Sequence, residues 1–250
     1  RAYQQCSRIL GVKPEELLAT TTLVQPATVA LEWSLFQLWQ SWGVNPDLVC
    51  GHSLGEFTAA CVAGVLDLEE ALRLVHERGV LMDSLPAGGS MLAVSASADE
   101  VVEVVSDDLE VGAINSPRSV VLSGGIEACE AAGAVLSKMG MRCGLLAVGQ
   151  AFHSKAMDPI LDRYYELMSS ARFELPSLPL VSSVTGEAIT EEVRSPEYWR
   201  NGLRQAVRFG KAVDTMVGMG SESFLEVGPQ ASLLPMIAEC RSEARVTASL

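Results

Sequence analysis

The sequence predicts an α/β fold in two parts. Three features predict it: apolar strands that alternate with helices, a change of rhythm between residues 90 and 147, and a serine set between two glycines where an apolar run meets a helix. A helix is predicted over 26–42, where Val29, Leu31, Trp33, Leu35, Phe36, Leu38, Trp39 and Trp42 cover more than one face, the mark of burial. Gly43-Val44-Asn45-Pro46-Asp47 turns the chain into a strand over 48–50, and a helix over 56–63 ends at Gly64. Asp67, with Glu70 three residues on, is a capping box for a helix carrying Leu68, Ala71, Leu72, Val75, Gly79 and Met82 on its apolar face.

From residue 90 the segments shorten. Strands are predicted at 91–94, 109–115, 119–123 and 141–146, and helices at 98–105 and 126–139. That βαββαβ order is the ferredoxin-like arrangement, so residues 90–147 are expected to be a small inserted sub-domain, with 1–89 and 148–250 forming the large one. The chain returns through a helix around 158–170, a strand over 180–183, a helix after Ser195-Pro196 and a strand over 224–227 ending in Gly228-Pro229. Alternating strands and helices predict a mostly parallel sheet in the large part.

With 48% hydrophobic and 20% charged residues, the composition is that of a globular chain, and a net charge of −13 disfavours nucleic acid and anionic membrane as partners. No apolar run approaches the roughly 20 residues of a membrane helix, and no signal-peptide pattern or initiating methionine is present, so a cytoplasmic piece of a longer polypeptide is expected. The six cysteines are scattered with no C-x-x-C pair, which argues for reduced thiols, no disulfide and no metal site.

The run Leu48-Val49-Cys50-Gly51-His52-Ser53-Leu54-Gly55-Glu56 has the spacing of a nucleophile elbow: a strained turn that lifts Ser53 Oγ out of the fold and leaves the Leu54 N–H at a helix start, where an oxyanion would be held. A Gly-rich turn that merely ends a strand has the same pattern. The elbow needs glycines small enough at i−2 and i+2 to let the backbone through. A serine nucleophile also needs a base, and there are three histidines. His52 adjoins Ser53 and projects to another side, and His76 is mid-helix. That leaves His153, in a loop at the return to the large part, where a structural histidine is the ordinary alternative. Arg78 falls at the margin of an apolar helix face, so its guanidinium pairs either with a carboxylate of the protein or with one carried by a substrate.

Taken in order, Gly51-His52-Ser53-Leu54-Gly55-Glu56, Arg78 25 residues after the serine, Asn115-Ser116-Pro117-Arg118-Ser119-Val120-Val121, Ala151-Phe152-His153-Ser154 and Glu226-Val227-Gly228-Pro229 resemble the acyltransferase domain of polyketide and fatty acid synthases, the malonyl-CoA:acyl carrier protein transacylase family. The resemblance implies an α/β-hydrolase-like core with a ferredoxin-like insert. It makes Ser53 the acylated nucleophile, His153 its base and Arg78 the clamp for the free carboxylate of an extender unit. Leu54, Phe152, Gln25 and Asn115 join Arg78 as substrate-binding candidates, and the Gly202 carbonyl is expected to orient the base. Ala151-Phe152-His153-Ser154 is similar to the form in malonyl-selective members. The family's Gly-Gln-Gly segment, source of a second oxyanion donor, has no counterpart here, since Gln25 stands in Gln25-Pro26-Ala27.

The function so implied is ping-pong transfer of malonyl from malonyl-CoA to the phosphopantetheine thiol of an acyl carrier protein, with no cofactor beyond these substrates and with neighbouring synthase domains as partners. A serine thioesterase or esterase, or an inactive docking domain, would share the elbow. Arg200, Arg204, Arg208 and Lys211 recur at spacings of 4, 4 and 3, either a solvated helix face or a stripe that meets the acidic carrier.

Overall fold

A computed structural model of the chain describes Gln4, Arg8, Gly11 and residues 20–104 and 106–250. Cys6, expected to be a buried thiol, and Val105, the end of a predicted helix, lie outside them. The fold is mixed α/β, in three small sheets.

Helix α1 (Thr21–Ser41) starts five residues before the predicted 26–42 and runs through Pro26. It packs along α3 (Leu68–Asp83), whose Asp67 cap accepts from the Glu70 N–H at 2.8 Å. Gly79 makes that approach possible, because a Cβ there would sit 2.6 Å from Thr22 Cα. Between them lie β1 (Val49–Cys50) and α2 (Gly55–Val62).

The four-stranded sheet comprises β2 (Gly89–Val94), β3 (Leu109–Ser116), β4 (Ser119–Gly125) and β5 (Cys143–Leu145). It is antiparallel throughout, in the order β3-β4-β2-β5, with α4 (Ile126–Lys138) packed on it. One apolar cluster on this sheet draws only on residues between 92 and 143. The predicted helix at 98–105 is among the described residues only a 3-10 turn, Val102–Val104, since Asp99 and Glu100 leave few apolar positions to bury.

The chain returns through a 3-10 segment, Lys155–Ile160, into α5 (Leu161–Ser169), then β6 (Leu180–Val181) and β7 (Ala188–Ile189). Strand β1 pairs parallel with β6, and β6 antiparallel with β7. Beyond α6 (Pro196–Arg204) and α7 (Phe209–Gly218), β8 (Ser223–Glu226) pairs parallel with β9 (Arg245–Ala248), flanking α8 (Leu234–Cys240). The mostly parallel sheet is therefore corrected. Parallel pairs occur in two separate sheets, because the strands are two to four residues long and the chain between them is spent on helices and turns. Among the described residues no helix is long and apolar enough to cross a membrane, and the five cysteines described are free thiols.

Candidate active site

Ser53 sits in the turn from β1 to α2 with φ 52°, and His153 has φ 56°; among the described residues these are the only non-glycine positions in the left-handed region. Such backbone costs of order 1–3 kcal/mol at each position and persists where the surroundings impose it. At Ser53 they do. The N–H groups of Gly55, Glu56 and Phe57 bond back to the carbonyls of His52, Ser53 and Leu54, at 3.0, 3.1 and 3.1 Å, closing the turn before the helix winds. Gly51 is required there, since a Cβ would lie 2.2 Å from Glu56 N. Gly55 is not: a Cβ would meet nothing within 4 Å, so only one of the two small neighbours expected of the elbow is a steric necessity.

Ser53 Oγ lies 2.7 Å from His153 Nε2, across 100 residues of sequence. His153 Nδ1 lies 3.0 Å from the Gln205 carbonyl, which can only accept, so Nδ1 carries the proton and Nε2 presents a lone pair to the serine hydroxyl. The expectation that Gly202 supplies this carbonyl is corrected. Gly202 is still within α6, whereas Gln205, the residue after it, has extended backbone that turns its carbonyl off the helix axis. The Gly202 carbonyl exerts only a weaker pull in the same direction. Burial, then the charge of Arg78 and then His52, push the His153 imidazole down to about 3, so it is neutral over the physiological range.

The other histidines are occupied elsewhere. His52 Nε2 lies 2.8 Å from Asn115 Oδ1, at a register shift in β3 that re-aims the asparagine, and burial lowers its basicity. His76 lies 3.5 Å from Glu77 on the surface of α3.

Arg78 is 6% exposed on α3 and takes no carboxylate of the described residues as an ion-pair partner. Its guanidinium donates to Gln25 Oε1 and lies near the Tyr164 hydroxyl, both neutral. Gln25 reaches it because α1 closes on α3 at Gly79, and its amide nitrogen lies 3.1 Å from Met82 Sδ. Tyr164 is carried by α5 with its hydroxyl pushed up to about 12 by burial. A narrow cavity is lined by Ser53, Arg78, Tyr164, Gly202, Gln205 and Val207 among others. Ser53, His153 and Arg78 thus converge, with Gln25 behind the guanidinium. Leu54, Phe152 and Asn115 do not line that cavity, and His153 and Gln25 meet it only through Ser53 and Arg78. The Leu54 N–H stands directly after Ser53, Asn115 holds His52, and the Phe152 ring packs between the two larger apolar clusters.

Gln205 and Tyr164 went unrecognised in the sequence. A main-chain carbonyl leaves no side-chain signature, and Tyr164 in Arg163-Tyr164-Tyr165 differs in nothing but burial from its neighbour. The basic stripe is not one helix face, because α6 ends at Arg204 while Arg208 caps and Lys211 joins α7. Arg204 is bound to Glu110 at 2.9 Å and Asp158 at 2.6 Å, Arg200 to Glu197 and Lys211 to Glu187.

The family described as acyl transferase domain matches residues 5–248. The chain is 44% identical over 233 residues to mycoketide-CoA synthase of Mycobacterium tuberculosis and 43% identical over 232 residues to polyketide synthase GfsA of Streptomyces halstedii. It is covered to 93% and 91%, and spans 6% and 3% of those proteins. In structure it resembles the acyltransferase domain from the second module of the salinomycin polyketide synthase, with a TM-score of 0.92 at 38% identity over 100% of this chain and 62% of that one. It also resembles the malonyl CoA-acyl carrier protein transacylase of Clostridium perfringens, with a TM-score of 0.90 at 27% identity over 99% of this chain and 83% of that one. With the serine, imidazole and guanidinium brought to one cleft in the order that the resemblance assigns them, the chain belongs to the acyl transferase domain family.

Proposed function

We propose that this domain transfers malonyl from malonyl-CoA to the phosphopantetheine thiol of an acyl carrier protein through an ester on Ser53. The observation that carries the reading is Arg78, a buried cation set against two neutral side chains and paired with no carboxylate of the described residues, opening into the cavity that Ser53 lines. A buried charge of this kind is costly unless an anion arrives to pair with it, and a carboxylated acyl group supplies one. Two related structures agree in chemistry: one is an acyl transferase domain of SpnD in complex with 2-(pent-4-yn-1-yl)malonyl, and the other a malonyl-transacylase in complex with its holo acyl-carrier protein. Ala151-Phe152-His153-Ser154 is similar to the form in malonyl-selective members of the family, a resemblance that supports unbranched malonyl over α-branched units.

In the first half-reaction His153 Nε2 takes the Ser53 proton, Oγ attacks the thioester carbonyl, the C–S bond breaks and CoA leaves with the proton. The Leu54 N–H donates to the oxyanion. In the second, the carrier thiol gives its proton to His153, attacks the ester, and Ser53 leaves with the proton returned. Arg78 selects the carboxylate and fixes the ester for in-line attack. A hydrolase of this elbow type would carry a carboxylate on the histidine's Nδ1, where this chain has a main-chain carbonyl, which speaks against the esterase alternative. Residues 90–147, one of whose apolar clusters draws on that segment alone while Met91, Ala113 and Val121 pack against the large part, would be the small sub-domain, with 1–89 and 148–250 the large one.

Intact-mass analysis after exposure to malonyl-, methylmalonyl- and acetyl-CoA tests the reading. Retention of one malonyl group, absent in Ser53→Ala, is expected. Faster labelling by acetyl-CoA, or turnover to free malonate without a retained ester, overturns it.

A further inference from the structure

Glu56 is a buried carboxyl that the transfer chemistry does not use. It stands three residues after Ser53 in the first turn of α2, is 4% exposed, and lines the same cavity. Its partners come from two other elements. The Tyr198 hydroxyl, in the first turn of α6, donates to Oε1, and Ser183, just past β6, gives Oε2 both its hydroxyl at 2.9 Å and its N–H at 3.3 Å. The single Tyr198 proton goes to Glu56, so the Ser182 hydroxyl, 2.8 Å away, donates to Tyr198 in turn. No cation of the described residues pairs with the carboxyl, and burial lifts it to about 7. An expensive group held by three donors is kept for what it fastens.

What it fastens is the segment that orients the base. Helix α6 begins beside Tyr198 and ends at Arg204, and the next residue, Gln205, supplies the carbonyl that holds His153 Nδ1. The segment is then tied to β3, through Val207 N–H to the Gly112 carbonyl at 3.0 Å. At its far end the Arg208 N–H reaches the Ser183 carbonyl at 2.6 Å. Glu56 therefore grips Tyr198 upstream of Gln205 and, through Ser183, reaches Arg208 downstream of it, from the helix that starts at the nucleophile.

We infer that Glu56 is a positioning residue which, through Tyr198 and Ser183, fixes the Gln205 carbonyl on His153 Nδ1 and so holds the imidazole in the tautomer that accepts the Ser53 proton. This rests on the reading of Ser53 and His153 as nucleophile and base. With three histidines in the chain, 15N-histidine labelling gives three imidazole spin systems, assigned by single substitutions, and reports which nitrogen of His153 carries the proton whether or not any acyl group is transferred. Glu56→Gln keeps the size but offers one acceptor oxygen where two are needed. The His153 signal is expected to pass from Nδ1-protonated to a tautomer mixture. In the same variant kcat for Ser53 acylation should fall about 10- to 100-fold while KM for malonyl-CoA changes less than about twofold. Tyr198→Phe, which removes one donor, should shift both in the same direction and by less. Leu72→Ala, in the core of α3, should lower Tm and leave the His153 signal unchanged. A Glu56→Gln protein that loses Tm but keeps the Nδ1-protonated signal and kcat overturns the inference. If that variant does not fold, Tyr198→Phe decides by the same criterion. A wild-type protein that takes no acyl group at all strikes the transfer reading and leaves the tautomer measurement standing.

Discussion

Arg78→Ala separates substrate selection from chemistry. The guanidinium is buried, and its neighbours Gln25 and Tyr164 are neutral, so a malonyl carboxylate seated on it would have no competing carboxylate among the described residues. Removing one member of a buried charge pair costs about 3 to 5 kcal/mol, because the other is left desolvated and unpaired. At about 1.4 kcal/mol per factor of ten, kcat/KM for malonyl-CoA should fall roughly 10²- to 10⁴-fold. Acetyl-CoA has no charge to strand, so its rate should hold or rise. The alanine also leaves the Gln25 and Tyr164 side chains short of a partner, at about 1 to 3 kcal/mol each, so rates must be compared on the folded fraction fixed by a Tm measurement. The assay is the initial rate of Ser53 acylation by each thioester, read by intact mass. Equal losses on malonyl- and acetyl-CoA would refute the clamp and make Arg78 a structural residue of the α1–α3 contact.

The pH dependence of stability follows from His153, whose folded value of about 3 lies below the ordinary 6.5. The unfolded chain then binds more protons between those values, so the contribution of His153 is complete above about pH 6.5 and is lost as pH falls toward 3. Glu56, raised from 4.5 to about 7, opposes it: its contribution is complete below 4.5 and is lost as pH rises through 7. Chemical denaturation of wild type and His153→Asn from pH 4 to 7 should show a stability gap that widens with pH; a constant gap means the imidazole is not desolvated. The two glycines of the elbow should separate as cleanly. Gly51→Ala forces a Cβ onto Glu56 N and should abolish acylation, whereas Gly55→Ala, with open space around it, should stay within about 1 kcal/mol of wild type in stability. Similar damage from both, read by Tm and acylation rate, contradicts that geometry.

Much of the site was legible because its chemistry sits in side chains with few candidates. One serine stood between two glycines, and of three histidines two were disqualified by position. The small sheet was legible because period-two strands with turn residues between them pin register locally, and its order came out as the βαββαβ pattern implies. The large part was read less well. Strands of two to four residues carry little periodicity, so β7 and β9 left no trace and the sheet was expected to be one piece. Burial is equally silent in sequence. Arg78 was placed at a helix margin, and it is α1 with Gln25 and α5 with Tyr164 that cover it. Glu56 carries no mark of burial in the sequence, because the Tyr198 and Ser183 that enclose its carboxyl lie more than a hundred positions away.

Arg78 also reaches the base. After burial, its charge is the largest influence that lowers His153, so in the empty site the imidazole is a weak proton acceptor. A carboxylate on the guanidinium would cancel most of that influence, while His153, already 5% exposed, has little solvation left to lose to an incoming substrate. The basicity of His153 should then rise when the acyl group is carboxylated and stay low when it is not. Selection would act on the rate of proton transfer as well as on binding, which is the differential that raises kcat and not merely lowers KM. The consequence is measurable in one protein. The acid limb of the acylation rate at saturating substrate should lie at higher pH with malonyl-CoA than with acetyl-CoA, and in Arg78→Gln the two limbs should coincide. Coincident limbs in the wild type would mean that Arg78 binds the carboxylate without touching the base.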